Sequence, residues 1–161
     1  MKLRLAVAAL AALLIACSTQ PAAEASPKVE QAASVHPISG LQIIPLKIAT
    51  GKGSHAFRVE VAATQEAQTR GLMFRQEVGP DEGMIFPSQV PQQRNFWMRN
   101  TPIPLDIIFV GADRRIVNIA ANATPYSLDS IPSDGPVIMV LEIAGGRAAE
   151  LGVGPGDKVE W

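Results

Sequence analysis

Cysteine is almost absent from this chain of 161 residues, in which Cys17 is the single example. No internal disulfide can form, so the fold must be held together by its apolar core. The chain has only two histidines, and a zinc site of the usual kind would need more cysteine or histidine ligands. His55 is the histidine expected inside the folded domain, and no G-x-S-x-G nucleophile elbow accompanies it. We therefore assign no catalytic residue and expect no metal or other cofactor.

The chain also lacks an excess of either charge. Its 14 basic residues nearly balance 15 acidic ones, which leaves a formal net charge of −1. Nucleic-acid binding needs a clustered cationic surface. The nearest approach to such a cluster is the pair Arg114 and Arg115, which fits a hairpin turn. The sequence therefore argues against a nucleic-acid partner.

The N-terminus has the pattern of a secretory signal. Lys2 and Arg4 form a basic start, and the apolar run 5–16 is too short to span a bilayer comfortably. The run leads into LIAC, which resembles a bacterial lipobox, where a small residue precedes a cysteine that becomes acylated. We therefore predict a lipoprotein signal peptide over residues 1–16 and lipidation of Cys17.

The next segment is rich in alanine, serine, proline and glutamine and shows no steady period. We interpret residues 17–40 as the lipidated cysteine and a disordered tether, in which His36 is solvated and has no role. A folded domain is expected over residues 41–161. The lipid anchor makes the membrane a partner and places the domain in the cell envelope. Ser18 after the cysteine favours the outer membrane, with the domain facing the periplasm.

Short β-strand patterns dominate the predicted domain. Residues 55–63 (HAFRVEVAA) alternate between apolar and polar side chains, with Glu60 on the polar face. A short helix is expected over residues 64–71, with a threonine cap and a glycine end. The segment VIMVLEI has the composition of a central strand. With about seven short strands and two short helices, the fold class is mainly β, a compact sandwich or barrel-like domain.

Four separated blocks carry a family resemblance. TRGLMFR, GMIFP, FWMRNTPIPLDIIFV and VLEIAGG, in this order and spacing, resemble the family called domain of unknown function 192, or DUF192. The resemblance runs from about Val59 to the C-terminus. It implies a small, mainly β domain that is often exported, and it implies no established activity. The resemblance therefore predicts a fold and no mechanism.

The block FWMRNTPIPLDIIFV is the best candidate for a functional surface. Pro102 and Pro104 restrict the backbone, so the segment before the strand is a stiff extended loop. Trp97 and Met98 are large and adaptable side chains suited to lining a cleft. Asn100 can both donate and accept hydrogen bonds.

Two carboxylates lie within apolar strand patterns, Asp106 in LDIIFV and Glu142 in VLEI. Burying a carboxylate is costly unless it is paired or hydrogen-bonded. Either these groups hold loops through backbone N–H groups or arginines (Arg70, Arg75 and Arg99 are the available cations), or they line a pocket. The predicted ligand-binding residues are Arg70, Trp97, Met98, Asn100, Asp106 and Glu142.

Three hypotheses for the function follow. The first is a non-catalytic domain, tethered to the membrane, that binds a small ligand, a glycan or a protein partner through the loop 97–106 and the segment 64–75. The second is a small hydrolase with Asp106 and Glu142 as acid and base. The third is copper binding by methionine thioethers, although methionine more often fills gaps in a core. The methionines concerned are Met73, Met84, Met98 and Met139.

Overall fold

The computed structural model describes residues 34–161. Cys17, the predicted signal peptide and most of the predicted tether lie outside the described residues, so those predictions remain predictions. In chain order the elements are β1 (Ser34–Val35), β2 (Gln42–Thr50), β3 (Gly53–Val61), α1 (Gln65–Arg70), β4 (Glu82–Gln92), β5 (Asn95–Phe96), β6 (Leu105–Val110), β7 (Ile116–Ala123), β8 (Ile131–Pro132), β9 (Val137–Ala144), α2 (Arg147–Leu151) and β10 (Lys158–Glu160).

The mainly β fold class with two short helices is confirmed. The strands that were not expected are β1, β5 and β8, and each of them is two residues long. A strand of that length leaves no periodic pattern in a sequence. The sequence therefore could not predict these short strands.

One curved sheet contains most of the strands, in the order β1-β2-β3-β4-β9-β6-β7, and β10 also pairs with β2, along the same edge as β1. β3 and β4 run parallel, and the other pairs of this sheet run antiparallel. An isolated bridge between Arg115 and Lys158 brings the start of β7 to β10. The sheet therefore curls towards a sandwich-like shape, and over residues 34–161 it does not close into a barrel.

The middle of the sheet is buried on both faces. Along β9 the side chains alternate, so that Leu141 and Ile143 join one core and Val140 joins the other. The first core also includes Leu46, Ile48, Phe57, Val59, Ile85 and Ile108, and the second includes Leu72, Met84, Phe86, Met98, Leu105, Ile107 and Phe109. Burial on both faces explains why β6 and β9 are almost continuously apolar.

The predicted helix over 64–71 is confirmed as α1 and its two caps. The hydroxyl of Thr64 accepts a hydrogen bond from the backbone N–H of Ala67 (3.1 Å). At the other end the N–H of Gly71 donates to the carbonyl oxygen of Ala67 (2.8 Å). These contacts satisfy backbone groups that a short helix leaves unpaired.

Candidate functional site

Asp106 is an internal anchor. Its side chain is fully buried, and its carboxylate accepts three backbone hydrogen bonds, from Asn122 (2.7 Å), Gly146 (2.9 Å) and Ala148 (2.7 Å). These donors tie the end of β7 and the start of α2 to β6. Of the two interpretations offered for this carboxylate, loop anchoring through backbone N–H groups is the one observed. Within residues 34–161 no arginine forms a salt bridge with it.

Glu142 is buried without such partners. Its neighbours across the strands are Met84 on β4 and Ile107 on β6, and both are apolar. The side-chain oxygen Oε2 of Glu142 has no hydrogen-bond partner among the described residues. Burial disfavours the charged form and raises the pKa of the Glu142 carboxyl to about 8. At neutral pH this group is therefore mainly a protonated, neutral acid.

The two carboxyl groups occupy opposite faces of the sheet. Asp106 is paired in register with Ile143, which belongs to the first core, whereas Glu142 is paired with Ile107, which belongs to the second. Because side chains of register partners share a face, the sheet itself separates the two acids. The geometry therefore gives no support to a hydrolase in which these residues act together as acid and base.

A small recess lies over Glu142. Its free volume is about 40 Å³, and its walls come from the turn that follows α1, from the loop after β5 and from β4. The lining includes Arg70, Leu72, Phe86, Trp97, Arg99 and Glu142. Three of the residues predicted for ligand binding, Arg70, Trp97 and Glu142, are thus brought together from distant parts of the chain. Each of the four sequence blocks that carry the family resemblance contributes to this lining.

Backbone hydrogen bonds join the loops around the recess. The N–H of Phe74 donates to the carbonyl oxygen of Asn100 (2.8 Å), and the N–H of Tyr126 donates to that of Thr101 (3.1 Å). Phe74, Asn100 and Tyr126 all have a positive φ, of 66°, 57° and 62°. Such conformations are costly for residues other than glycine and concentrate at functional sites. These hydrogen bonds hold the segment after α1 against the loop after β5, and we call the exposed side chains that lie beside the recess at the end of α1 and in these two segments (Arg70, Phe74, Trp97 and Arg99) the rim.

The mouth of the recess is aromatic and positively charged. The Trp97 side chain is 49% exposed, and the guanidinium of Arg99 lies 4.7 Å from the centre of its ring. Arg70 lies 6.0 Å from the ring centre of the exposed Phe74. In the part of the chain that the structure describes, neither arginine has a carboxylate within 4.0 Å. The mouth therefore carries two cations that form no salt bridge with any described residue.

Met98 and Asn100 were also predicted to bind a ligand, but neither lines the recess. Met98 is fully buried in the second core, so its thioether is not accessible from the recess. Asn100 is exposed, and its amide nitrogen Nδ2 contacts the sulfur atom of Met73 at 3.9 Å. The carbonyl and φ of Asn100 shape the rim, but its side chain does not line the recess.

The methionines considered for copper do not converge. Met84 and Met98 pack in the second core, whereas Met139 packs in the first, on the other side of the sheet. Residues 34–161 also contain no cluster of three or more histidine, cysteine, aspartate or glutamate side chains that could hold a metal ion. The geometry therefore gives no support to a thioether site built from these residues.

A buried polar cluster was missed by sequence reasoning. The guanidinium nitrogen Nη2 of Arg75 lies 2.7 Å from both carboxylate oxygens of Glu60, to which the hydroxyl of Ser39 also donates. Nε2 of His36 lies 3.2 Å from Nη1 of Arg75. The expectation that His36 is merely solvated is therefore wrong, and so is the placement of Glu60 on an exposed face. The strand alternation could not reveal that residues 36–41 cover that face.

Comparisons with known proteins agree with this fold. A family model matches residues 47–161, that of DUF192, described as Uncharacterized ACR. A solved structure of a protein of unknown function from Novosphingobium aromaticivorans DSM 12444 is 59% identical, with a TM-score of 0.78, over 80% of this chain and 91% of that chain. A second structure, from Sinorhizobium meliloti 1021, is described as a candidate transcription regulator. It is 37% identical, with a TM-score of 0.72, over 74% of this chain and 94% of that chain.

No curated protein matches the chain. Within residues 34–161, no helix has the length and apolar character needed to cross a membrane.

Proposed function

The chain belongs to the DUF192 family of uncharacterised proteins, and from that premise we propose that it is a non-catalytic binding domain of the cell envelope. The recess over Glu142 and its rim, which includes Trp97, Arg70 and Arg99, form the binding site. A lipid on Cys17 tethers the domain to the membrane. The bound molecule is a small ligand, a glycan or an extended part of a protein.

One observation carries the binding proposal. The Glu142 carboxyl is buried with an oxygen that has no partner among the described residues, and it lies at a recess that opens to solvent. An unsatisfied buried polar group destabilises a fold by about 1–3 kcal/mol. A fold that retains such a group is explained if a ligand supplies the missing hydrogen bond. Polar groups placed within an otherwise apolar pocket are the usual source of ligand orientation.

The rim supports binding of a larger molecule than the recess alone could hold. Trp97 and Phe74 present exposed aromatic faces, each with an arginine beside it. Aromatic and arginine side chains contribute much of the energy at recognition surfaces. The fixed loops reduce the entropy that would be lost when a ligand orders them. The surface is thus preorganised for recognition.

The chemistry of the site favours binding over catalysis. Among the described residues that line the recess, Glu142 is the one carboxyl group. The second acid of the hydrolase hypothesis, Asp106, lies on the other face of the sheet and has its oxygens engaged by backbone N–H groups. Hydrolysis by paired acids needs both groups on the same substrate.

The membrane tether is supported by the sequence. The basic start, the short apolar run and the LIAC motif precede the single cysteine of the chain. Acyl chains on Cys17 would each contribute roughly 0.8 kcal/mol of membrane affinity per buried CH₂ group. Ser18 favours sorting to the outer membrane, with the domain facing the periplasm. Sixteen residues separate Cys17 from Ser34, the first residue that the structure describes.

The binding site is tested by replacing Trp97 with alanine in the full-length protein. We expect a ligand that copurifies with the unmodified protein to be reduced at least tenfold, because the aromatic face of the rim is lost. Mass spectrometry of the bound material measures this loss. Val90→Ala is the matched control, since Val90 is also exposed but does not line the recess. Equal retention by the Trp97 and Val90 variants would remove the rim from consideration.

The tether is tested by a Cys17→Ser variant expressed in a bacterial host with a lipoprotein pathway. We expect the unmodified protein to incorporate a labelled fatty acid and to sediment with membranes, and the variant to do neither. A Ser18→Ala variant, which keeps the acylated thiol, should behave as the unmodified protein in both assays. Membrane sedimentation of the Cys17→Ser protein would contradict the proposed anchor.

A further inference from the structure

We infer that the recess over Glu142 binds a carboxylate group of the ligand. This inference rests on the proposed binding function of the same site and names the chemical class that the site selects. It follows from three properties of the recess: the hydrogen-bonding role of the buried acid, the charge of the mouth, and the volume available.

The buried acid needs a hydrogen-bond partner that the described part of the fold does not supply. Oε2 of Glu142 has no hydrogen-bond partner within residues 34–161. The strand neighbours Met84 and Ile107 are apolar and cannot provide one. A ligand atom that reaches Oε2 would therefore form the hydrogen bond that the described part of the fold leaves unmade.

That ligand atom should be an acceptor. Burial raises the pKa of Glu142 to about 8, so below that pH the carboxyl carries a proton and can donate its O–H. The charged groups that face it are Arg70, from α1, and Arg99, from the loop after β5, and no other acid lines the recess among the described residues. Two cations at the mouth would repel an ammonium group and attract an anion.

The arginines can also recognise the anion directly. A guanidinium group presents parallel N–H donors that match the two oxygens of a carboxylate. Arg99 is held over the Trp97 ring at 4.7 Å, which positions its charge at the mouth. A carboxylate in the recess would thus accept from the protonated Glu142 below and from an arginine above.

The volume selects among anions. The recess holds about 40 Å³, enough for about three water-sized groups. A carboxylate has three heavy atoms, whereas a phosphate has five. This small volume favours the carboxylate, and the remainder of the ligand would lie outside, against Trp97 and Phe74, the aromatic side chains of the rim. Both a peptide C-terminus and a sugar acid present such a group.

The inference is tested with matched pairs of probes added to the full-length protein. N-acetyl-dialanine and glucuronate carry a carboxylate, and N-acetyl-dialanine amide and glucose are their neutral counterparts. We expect at least one acid to bind at least tenfold more tightly than its neutral counterpart at pH 6.5, as measured from the indole N–H signal of Trp97 by NMR. The acid that binds more tightly identifies a peptide or a sugar as the source of the carboxylate.

Proton linkage supplies an independent readout. Above pH 8 the affinity for the acid should fall roughly tenfold per pH unit, because Glu142 loses the proton that it donates. Glu142→Gln keeps an N–H donor of similar shape, so this variant should bind the acid without that pH dependence. Glu142→Met removes the donor and should weaken binding at least tenfold, with circular dichroism to confirm that it is folded.

Three results would overturn the inference. The neutral probes could bind as tightly as the acids, inorganic phosphate could compete as well as the acids do, or Glu142→Met could bind the acids unchanged. Each of these results would exclude carboxylate selection at the recess while leaving the proposed binding function intact. That function depends on the rim and fails separately, if the copurifying ligand is retained by the Trp97→Ala protein.

Discussion

Replacing Asp106 by alanine is expected to lower the free energy of unfolding by about 3–9 kcal/mol, because three N–H donors, one buried and two partly buried, each lose a hydrogen bond to this carboxylate at a cost of about 1–3 kcal/mol. The three donors belong to Asn122, Gly146 and Ala148, and the carboxylate that they contact is fully buried. A domain of this size has about 5–15 kcal/mol of stability in total. We therefore expect the variant to be unfolded or close to it, as measured by urea denaturation.

Asp113→Ala provides the control for this prediction. Asp113 is an exposed aspartate in the turn between β6 and β7, and its side chain accepts one backbone hydrogen bond, from Arg115 (3.1 Å). Its replacement should cost about 1 kcal/mol or less, because water can satisfy the exposed donor. A loss of less than about 1 kcal/mol for Asp106→Ala would show that the anchor is not needed for the fold.

The second large effect is a dependence of stability on pH that originates in Glu142. Its pKa is raised from an ordinary value of 4.5 to about 8 in the folded protein, so the folded state holds a proton that the unfolded state releases. The resulting stability is fully present below pH 4.5 and is lost as the pH rises through about 8. The slope reaches about 1.4 kcal/mol per pH unit, and the total is on the order of 4–5 kcal/mol.

This contribution is isolated by comparison with Glu142→Gln. Glutamine has nearly the same shape and no proton to lose, so the variant should lack the slope that Glu142 produces. The measured quantity is the difference in free energy of unfolding between the two proteins from pH 4 to pH 9, in which contributions of the other titrating groups cancel. Parallel stability curves would mean that Glu142 titrates alike in the folded and unfolded states.

The same titration would couple stability to the proposed binding. A carboxylate ligand that accepts a hydrogen bond from protonated Glu142 would raise the pKa of Glu142 further. Its stabilising effect would be greatest in the pH range in which Glu142 holds its proton. The carboxylate of Asp106 contacts backbone groups on the other face of the sheet, away from the recess. Sequence patterns alone treated the two acids alike, but the fold places them on opposite faces of the sheet and in different environments.

Much of the site was predictable because its residues are chemically unusual in their context. Glu142 within an apolar strand and Trp97 beside a proline-restricted loop stood out, and both line the recess. Met98 and Asn100 stood out for the same reasons, yet the first is buried in the core and the second shapes the rim through its backbone. Composition identifies residues that can recognise a ligand but not the direction in which their side chains point.

Glu60 shows a second limit of prediction from the sequence, which concerns burial. Its position in an alternating strand predicted exposure, and the strand itself is observed as predicted. The residue is nevertheless buried, because residues 36–41 fold over it and Arg75 supplies the compensating charge. Alternation reports the two faces of an isolated strand, and it contains no information about which distant segment will cover the polar face.

By itself the amino-acid sequence determined the mainly β class, the helix between its threonine and glycine caps, and the central position of the VIMVLEI strand. These features follow from local periodicity and from the side-chain chemistry of neighbouring residues. Only the tertiary structure decided that Asp106 and Glu142 lie on opposite faces of the sheet. It also decided which side chains lie around Glu142, namely Arg70, Trp97 and Arg99. The face that a strand residue occupies depends on its register with partner strands, and here those partners lie tens of residues away in the chain.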